Sequence, residues 1–287
     1  MQFLLLAITA STLILVSFKI FSRFDIDDFT AITINYIVGA LFGFNFIHWN
    51  QTLPEISAAP WFPMAILTGV LLIAGFVLFA ISTRKAGVAI TAISSRMSVI
   101  LPVMLGLLLL NDEARIVKIA GIILALLALY LTLKKDNKEK FSIKLILVPL
   151  SVFLFMGLND SAVKVTQHFF LKNSGDNGYV AYAATSFMIA FFIGVTISIF
   201  RIWNGAKVFK FQNLIAGVVL GLLNWFSIYY LLKGFEIMQV SVFIPILNIS
   251  VVALSSVIGF TLFKEKLHTR NWAGILLAVI AIVLIAG

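Results

Sequence analysis

The sequence predicts an all-α integral membrane protein with ten transmembrane helices, arranged as two inverted five-helix repeats. The first observation is composition: 61% of the 287 residues are hydrophobic and only 11% are charged. Soluble globular domains carry about 25% charged residues, so a soluble core could not hide this much apolar surface. The other two observations are the regular spacing of the apolar runs and a similarity between the ends of the two halves.

Ten apolar runs follow one another along the chain, each near the roughly 20 residues that a helix needs to cross a bilayer. In the first half they cover residues 2–18, 29–47, 62–82, 87–110 and 115–133. In the second half they cover residues 143–167, 178–200, 213–232, 237–262 and 271–286. These runs lack the alternation of membrane-barrel strands, so all ten are predicted to be helices. The first run lacks the basic start of a cleaved signal peptide and is predicted to be retained.

A basic linker, residues 134–140, divides the chain into a first repeat (1–135) and a second repeat (141–287). The segment Ala120–Ala125 matches Ala273–Ala278 at five of six positions, and the same offset of 153 residues aligns Gly106 with Gly259 and Asp112 with Glu265. Since five helices is an odd number, the second repeat must enter the membrane from the opposite side. Inverted repeats of this kind are common in secondary transporters.

Lys19 and Lys164 fall near the end of the first helix of each half, and Asp112 and Glu265 follow the fourth. Each acidic residue precedes a glycine-containing fifth helix. With five plus five predicted helices, this full-length pattern resembles an EamA-type member of the drug/metabolite transporter superfamily. Family members often carry an arginine early in the second helix, where this chain has Asn35–Tyr36. The resemblance implies alternating-access transport of small metabolites, and the departure leaves the substrate open.

Charge distribution gives a prediction of orientation. The net charge is +9, but the basic residues are scattered at the ends of apolar runs, which argues against nucleic-acid binding. Odd-numbered loops carry fifteen Lys and Arg residues, against five in even-numbered loops and helix ends. The positive-inside rule then places both termini outside a cytoplasmic (inner) membrane. The family resemblance implies the opposite, with both termini in the cytoplasm.

Arg96 is the first candidate for substrate binding, because it lies about 15 Å into the fourth predicted helix, near the bilayer midplane. A guanidinium at that depth could anchor an anionic group of a substrate. The alternative is a structural ion pair with Asp160, which stands beside Asn159 in the sixth helix. Asp160 could instead relay protons and couple transport to a proton gradient, or it could neutralise Lys164 one turn later.

Polar residues of the fourth and ninth predicted helices form a second set of candidates. The repeat alignment places Asn248 opposite Ser95, beside Arg96. Ser94, Ser95, Arg96, Asn248 and Ser250 are therefore expected to form a polar belt around a pseudo-twofold axis, where inverted-repeat carriers bind substrate. The alternative for each serine or asparagine is a hydrogen bond to a neighbouring helix or to its own backbone.

Three further pairs complete the candidate set. Asn224 and Trp225 could stack on and hydrogen-bond a planar substrate, although helix packing explains them nearly as well. Pro102 and Pro245 are expected to interrupt the central helices, as hinges or as static kinks. Lys19 and Lys164 are expected to snorkel at the two interfaces, or to close the cavity in alternate states. Tyr179, Tyr182 and Tyr230 are predicted to be interfacial belt residues.

The sequence predicts no cofactor and no metal site: there are no cysteines, the three histidines lack metal-like spacing, and no enzyme or nucleotide-binding motif occurs. The leading hypothesis is a secondary carrier of small polar metabolites, such as amino acids or drugs, exporting or exchanging them. The expected partners are a small-molecule substrate and the lipid bilayer. A channel, a scaffold or an intramembrane enzyme are the alternatives, and the sequence does not indicate an oligomeric state.

Overall fold

The computed structural model describes residues 2–46, 53–109, 115–133, 143–171, 175–205, 210–235, 237–238 and 240–286. The helices are α1 (Gln2–Phe21), α2 (Asp28–Phe46), α3 (Leu53–Ser57), α4 (Phe62–Lys85), α5 (Val88–Met97), α6 (Ile100–Leu109), α7 (Ile116–Leu133), α8 (Ile143–Thr166), α9 (Gly175–Trp203), α10 (Phe211–Phe235), α11 (Val240–Thr261) and α12 (Thr269–Ala286). A π-helical turn, Gln167–Leu171, directly continues α8. Asp112, His48 and the basic linker lie outside the described residues.

Every predicted apolar run coincides with helical structure, with three differences. The fourth run consists of two helices, α5 and α6. The short helix α3 occurs in a stretch that the apolar pattern leaves as a loop. The sixth run ends in the π-helical turn, a form that often occurs near functional sites.

Seven stretches of the described chain have the length and hydropathy to cross a membrane: Gln2–Phe21, Phe62–Lys85, Val88–Leu109, Ile146–Leu171, Gly178–Trp203, Phe211–Leu231 and Phe243–Thr261. The apolar parts of α7 and α12 are slightly shorter, at Ile116–Thr132 and Thr269–Ile285. Helices satisfy their own backbone hydrogen bonds, which the bilayer requires. The chain is therefore a multi-pass α-helical membrane protein, and the count of ten spans stays a prediction.

The break between α5 and α6 has a local cause in Pro102. This residue lacks an N–H, so the Ser98 carbonyl instead accepts the amide of Leu101 at 3.0 Å. Pro102 thereby lies in the first turn of α6, where proline is tolerated. Pro245, in contrast, lies inside α11, which continues through it without interruption. A break between helices is therefore present at Pro102, and at Pro245 the role of the proline as a hinge or a static kink stays a prediction.

The chain forms two compact units that do not coincide with the predicted halves. Unit 1 comprises residues 1–20, 78–157 and 226–287, and unit 2 comprises residues 21–77 and 158–225. Each unit therefore takes helices from both halves. The division of the chain into two sequence repeats at the basic linker stays a prediction.

In unit 1, α7 and α12 pack antiparallel at close range. A Cβ on Gly121 would lie 2.9 Å from the backbone nitrogen of Ile285, and one on Gly274 would lie 3.0 Å from the carbonyl oxygen of Ala128. Small residues allow this close approach. Van der Waals contacts of this kind hold membrane helices together, because lipid gives no hydrophobic driving force for their association. The amide of Asn271 ties the same pair together by donating to the Thr132 carbonyl at 2.8 Å. An apolar cluster that includes residues of α5, α7, α11 and α12 surrounds this contact.

In unit 2, α2 packs antiparallel against α9. Close approaches at glycine pair Gly39 with Phe187, Gly43 with Ala184 and Gly194 with Thr33. Residue numbers thus rise along α2 as they fall along α9. A second helix, α10, lies against α2 through its own glycines, since a Cβ on Gly221 would lie 2.7 Å from Val38 Cβ.

Candidate functional site

Arg96 and Asn248 meet within unit 1. Arg96 stands in the last turn of α5, and its Nη1 donates to Asn248 Oδ1 of α11 at 3.0 Å. Arg96 is half-buried and Asn248 is buried. The guanidinium also lies at the carboxyl end of α5, where the helix dipole favours a cation. The structure therefore brings together the two deep polar residues that the repeat alignment placed at the same level.

The serines of the expected belt differ in their surroundings. Ser94, Ser95 and Arg96 are consecutive residues of α5, so their side chains point about 100° apart from one residue to the next. Ser95 Oγ donates to the Ala92 carbonyl of its own helix at 3.0 Å. Ser94 is fully buried, and its hydroxyl has no hydrogen-bond partner among the described residues. Ser250 is half-buried in α11.

Lys19 forms an ion pair with Glu265, and both residues lie in unit 1. Lys19 Nζ is 3.1 Å from Glu265 Oε1 and 3.4 Å from the Thr83 carbonyl oxygen. The Glu265 carboxylate also accepts the first amide of α5, from Val88, at 2.8 Å. Glu265 therefore connects the end of α1 to the start of α5, the helix that carries Arg96. The sequence singled out both residues, but not this contact.

Asn224 and Trp225 pack α10 onto α2 in unit 2. Asn224 Nδ2 donates to Asn35 Oδ1 at 3.1 Å, and both side chains are buried. The Trp225 ring lies 6.2 Å from the Phe42 ring, between centroids. These contacts correspond to the alternative that the sequence left open, a packed helix interface with an interhelical hydrogen bond.

Asn159, Asp160 and Lys164 lie on the part of α8 that belongs to unit 2. Asn159 Nδ2 lies 3.4 Å from Asp160 Oδ1, and Asp160 is exposed within the described chain. Lys164 is half-buried one turn later, shortly before the π-helical turn. Unit 1 contains Arg96, so these three candidates and the pair Asn224–Trp225 belong to a different unit from Arg96.

Sequence reasoning missed a group of polar contacts in unit 2 around Asp27. Arg201 donates to both carboxylate oxygens of Asp27, at 3.0 Å to Oδ1 and 2.5 Å to Oδ2. Thr30 N donates to Asp27 Oδ1 at 2.8 Å, which caps α2, and Asp27 N donates to Asn213. Burial raises the pKa of Asp27, but the hydrogen bonds from Arg201 and Thr30 outweigh it and lower that pKa below its usual value. The capping pattern Asp27-x-x-Thr30 was a visible but weak signal.

Tyr182 is not a belt residue, contrary to the sequence prediction. Its side chain is buried, its hydroxyl lies 2.5 Å from Thr68 Oγ1 and 3.4 Å from Thr166 Oγ1, and its ring packs edge-on against Trp61. Threonine hydroxyls on two other helices, α4 and α8, provide hydrogen-bond partners for the buried tyrosine hydroxyl. A tyrosine near a helix end is thus ambiguous in sequence, because both an interface and a buried hydroxyl cluster accommodate its polar tip.

Within the described ranges, no three His, Cys, Asp or Glu side chains come together as ligands for an ion.

Comparisons with known proteins agree with this architecture. An uncharacterized protein of Haemophilus influenzae is 26% identical over 98% of this chain and 96% of its own length. A solved crystal structure has a similar fold, with a TM-score of 0.61 at 12% identity, over 99% of this chain and 94% of that one. The similarity to a known family covers the first predicted repeat: residues 1–134 match the EamA-like transporter family.

Proposed function

We propose that this protein is a secondary transporter of the EamA type, within the drug/metabolite transporter superfamily. In this proposal ten helices cross the cytoplasmic membrane as two inverted repeats and carry small polar metabolites by alternating access. Amino acids or related compounds are the leading substrates, and drugs are a second class. The match of residues 1–134 to the EamA-like transporter family supports the proposal for the first repeat.

Reciprocal contacts between equivalent helices support the inverted repeat. Gly274 and Ile285 lie 153 residues after Gly121 and Thr132, and the close contacts pair Gly121 with Ile285 and Gly274 with Thr132. Exchanging the two helices therefore reproduces the same pair of contacts. That is the signature of a twofold, self-complementary interface. It arises here between antiparallel helices, as inverted repeats require.

Unit 2 has the same kind of pairing between α2 and α9. Ala184 and Gly194 lie 151 residues after Thr33 and Gly43, and the contacts pair Thr33 with Gly194 and Gly43 with Ala184. At this offset Tyr36 is equivalent to Phe187, and these two rings lie 5.6 Å apart. The two units thus give independent support to the duplication.

The single observation that carries the transport proposal is the position of Arg96. At an offset of 153 its counterpart is Ile249, so its hydrogen-bond partner Asn248 is next to that counterpart in sequence. Such a contact is expected near a local pseudo-twofold axis. Carriers with inverted repeats place their substrate at such an axis, near the bilayer midplane and beside a broken helix. The break after α5 fits this arrangement. We infer that Arg96 binds an anionic group, such as a carboxylate, of the substrate.

The other candidate residues have supporting roles in this proposal. In unit 1, Ser94, Ser95, Asn248 and Ser250 would assist Arg96 in binding substrate. In unit 2, Asn159, Asp160, Asn224 and Trp225 are separate candidates for substrate contacts. Pro102 and Pro245 would permit bending, and Lys19 and Lys164 would close the cavity in alternate states. Asp160 is proposed to couple transport to protons; unchanged dependence of uptake on an imposed pH gradient in Asp160→Asn would exclude that role.

The test is transport by purified protein in liposomes. A panel of radiolabelled amino acids is first screened by thermal stabilisation, because a ligand that binds the folded state raises apparent stability. For a stabilising compound, a carrier gives saturable uptake that unlabelled compound inside the vesicle accelerates. A channel gives flux that does not saturate, and a scaffold or enzyme gives none. Either of these results would contradict the proposal.

A further inference from the structure

Glu265 lies four residues after the end of α11 and reaches the first turn of a different helix. Its Oε1 accepts the amide of Val88 at 2.8 Å, and its Oε2 accepts the amide of Ala89 at 3.3 Å. These amides open α5, where the first turn has no backbone acceptors of its own. The carboxylate therefore caps α5 from outside the helix.

Two glycines leave the room that this contact needs. A Cβ on Gly87 would lie 2.7 Å from Glu265 Oε2, and one on Gly259 would lie 2.5 Å from the same oxygen. Gly87 also has a φ of 102°, a conformation that side chains disfavour. Any larger residue at either position would displace the carboxylate. The site is thus built for one carboxylate, and Glu265 fills it.

Lys19 completes the enclosure from α1. Its Nζ lies 3.1 Å from Glu265 Oε1, 3.4 Å from the Thr83 carbonyl oxygen and 6.0 Å from the centre of the Phe263 ring. The Glu265 side chain retains 11% exposure. The carboxylate therefore connects the end of α1, the start of α5 and the segment after α11, and Lys19 extends this group of contacts to the end of α4.

This contact bears directly on Arg96. Val88 and Arg96 are eight residues apart in α5, or about 12 Å along the helix axis. An α-helix is stiff over that length, so its capped end fixes the depth of the guanidinium. An anion at a helix amino end is favoured by both the unpaired amides and the helix dipole.

We propose that Glu265 is an intramolecular latch. Its carboxylate holds the start of α5 against the segment after α11, and so closes the interior of unit 1 around Val88 to water-soluble molecules. Release of the carboxylate from the α5 amides frees α5, and with it Arg96, to move. The release step rests on the proposed transport function, whereas the closure does not. The latch is the backbone cap; Lys19 strengthens it but cannot replace it.

The absence of cysteines allows a direct test of closure. Val88 is fully buried beside the latch, and Val88→Cys introduces a slightly smaller side chain. The rate at which 2-sulfonatoethyl methanethiosulfonate modifies this cysteine is measured in purified protein without substrate. Glu265→Met keeps the length of the side chain and removes both acceptor oxygens. We expect modification to be about tenfold faster with Glu265→Met and unchanged with Glu55→Met, which alters an exposed glutamate of α3. Equal rates in the Glu265→Met and parent proteins would overturn the latch.

A charge exchange separates the cap from the ion pair. In Lys19→Glu with Glu265→Lys, opposite charges still face each other, but an ammonium group cannot accept the α5 amides. We expect fast modification in this variant and only a small increase in Lys19→Gln. Slow modification in the exchanged variant would show that the ion pair alone closes unit 1, and would overturn the cap.

Two controls keep the outcome interpretable. Circular dichroism establishes that each variant is folded; if Glu265→Met is not, Glu265→Asp, which is one methylene shorter, is expected to give an intermediate rate. Parent-like modification in folded Glu265→Asp and slow modification in the exchanged variant would together reject the latch. Because no substrate is present, failure of the transport assay and failure of the latch are separate results.

Discussion

At the scale of single residues, the polar side chains fall into two kinds. Ser95 and Asn224 satisfy their hydrogen bonds inside or between helices, as polar residues in membrane proteins commonly do. Arg96 differs, because a charged side chain inside a membrane-spanning helix is costly; its Nη1 donates to Asn248. The cost of keeping an arginine there is the physical reason to assign it a functional role.

We expect substitutions of Arg96 to weaken transport without loss of the fold. A charge-assisted hydrogen bond contributes roughly 1.5–3 kcal/mol, so Arg96→Gln should raise the KM of an anionic substrate by about 10-fold or more. Arg96→Lys keeps the charge but loses the planar guanidinium, so its KM should lie between those of the parent and Arg96→Gln. Arg84→Gln, which removes an exposed arginine of α4, is the control. An unchanged KM in Arg96→Gln would remove this residue from the site.

A second residue-scale prediction concerns Asp27 and acid stability. Because the folded protein lowers the pKa of Asp27, the unfolded chain binds the proton more tightly, and this carboxylate stabilises the fold above about pH 4. That contribution is lost as pH falls through the lower, folded pKa. We therefore expect the Tm difference between the parent and Asp27→Asn, measured in detergent, to be largest near neutral pH and to shrink in acid. A difference that does not change with pH would contradict this assignment.

At the scale of helices, glycine positions decide which helices approach closely. Gly121 and Gly274 lie 153 residues apart, in α7 and α12, and each leaves no space for a side chain. Apolar composition predicted both helices, but composition alone does not specify the partner. The contact between them depends on where the small residues fall on each surface.

We expect Gly121→Ala and Gly274→Ala to destabilise the protein by similar amounts. An added methyl group in a closely packed interface typically costs 1–3 kcal/mol, so each Tm should fall by several degrees. Leu126→Phe enlarges an exposed position of α7 and should have little effect. Thermal denaturation in detergent measures all three. A fall for one glycine but not for its counterpart would weaken the reciprocal interface and the inverted repeat.

At the scale of the whole molecule, the sequence gives two opposed orientations. The excess of basic residues in odd-numbered loops places both termini outside, and the resemblance to EamA-type transporters places both inside. A reporter that is active only in the cytoplasm, fused after Gly287, distinguishes the two. The charge distribution predicts an inactive fusion, with an active fusion at the basic linker as the matched control. The reverse pattern would show that family topology overrides the charge bias.

The sequence by itself determined the helices, the membrane environment and the candidate duplication. These properties are local, because a helix in lipid satisfies its own backbone and needs only an apolar stretch of sufficient length. Only the tertiary structure decided how polar side chains pair: Arg96 with Asn248, Asn224 with Asn35, and Glu265 with the amides of α5. Such pairs depend on the rotation and partner of each helix, which long-range packing sets. An apolar pattern around the whole helix does not encode that rotation, so only the structure could show which candidates meet.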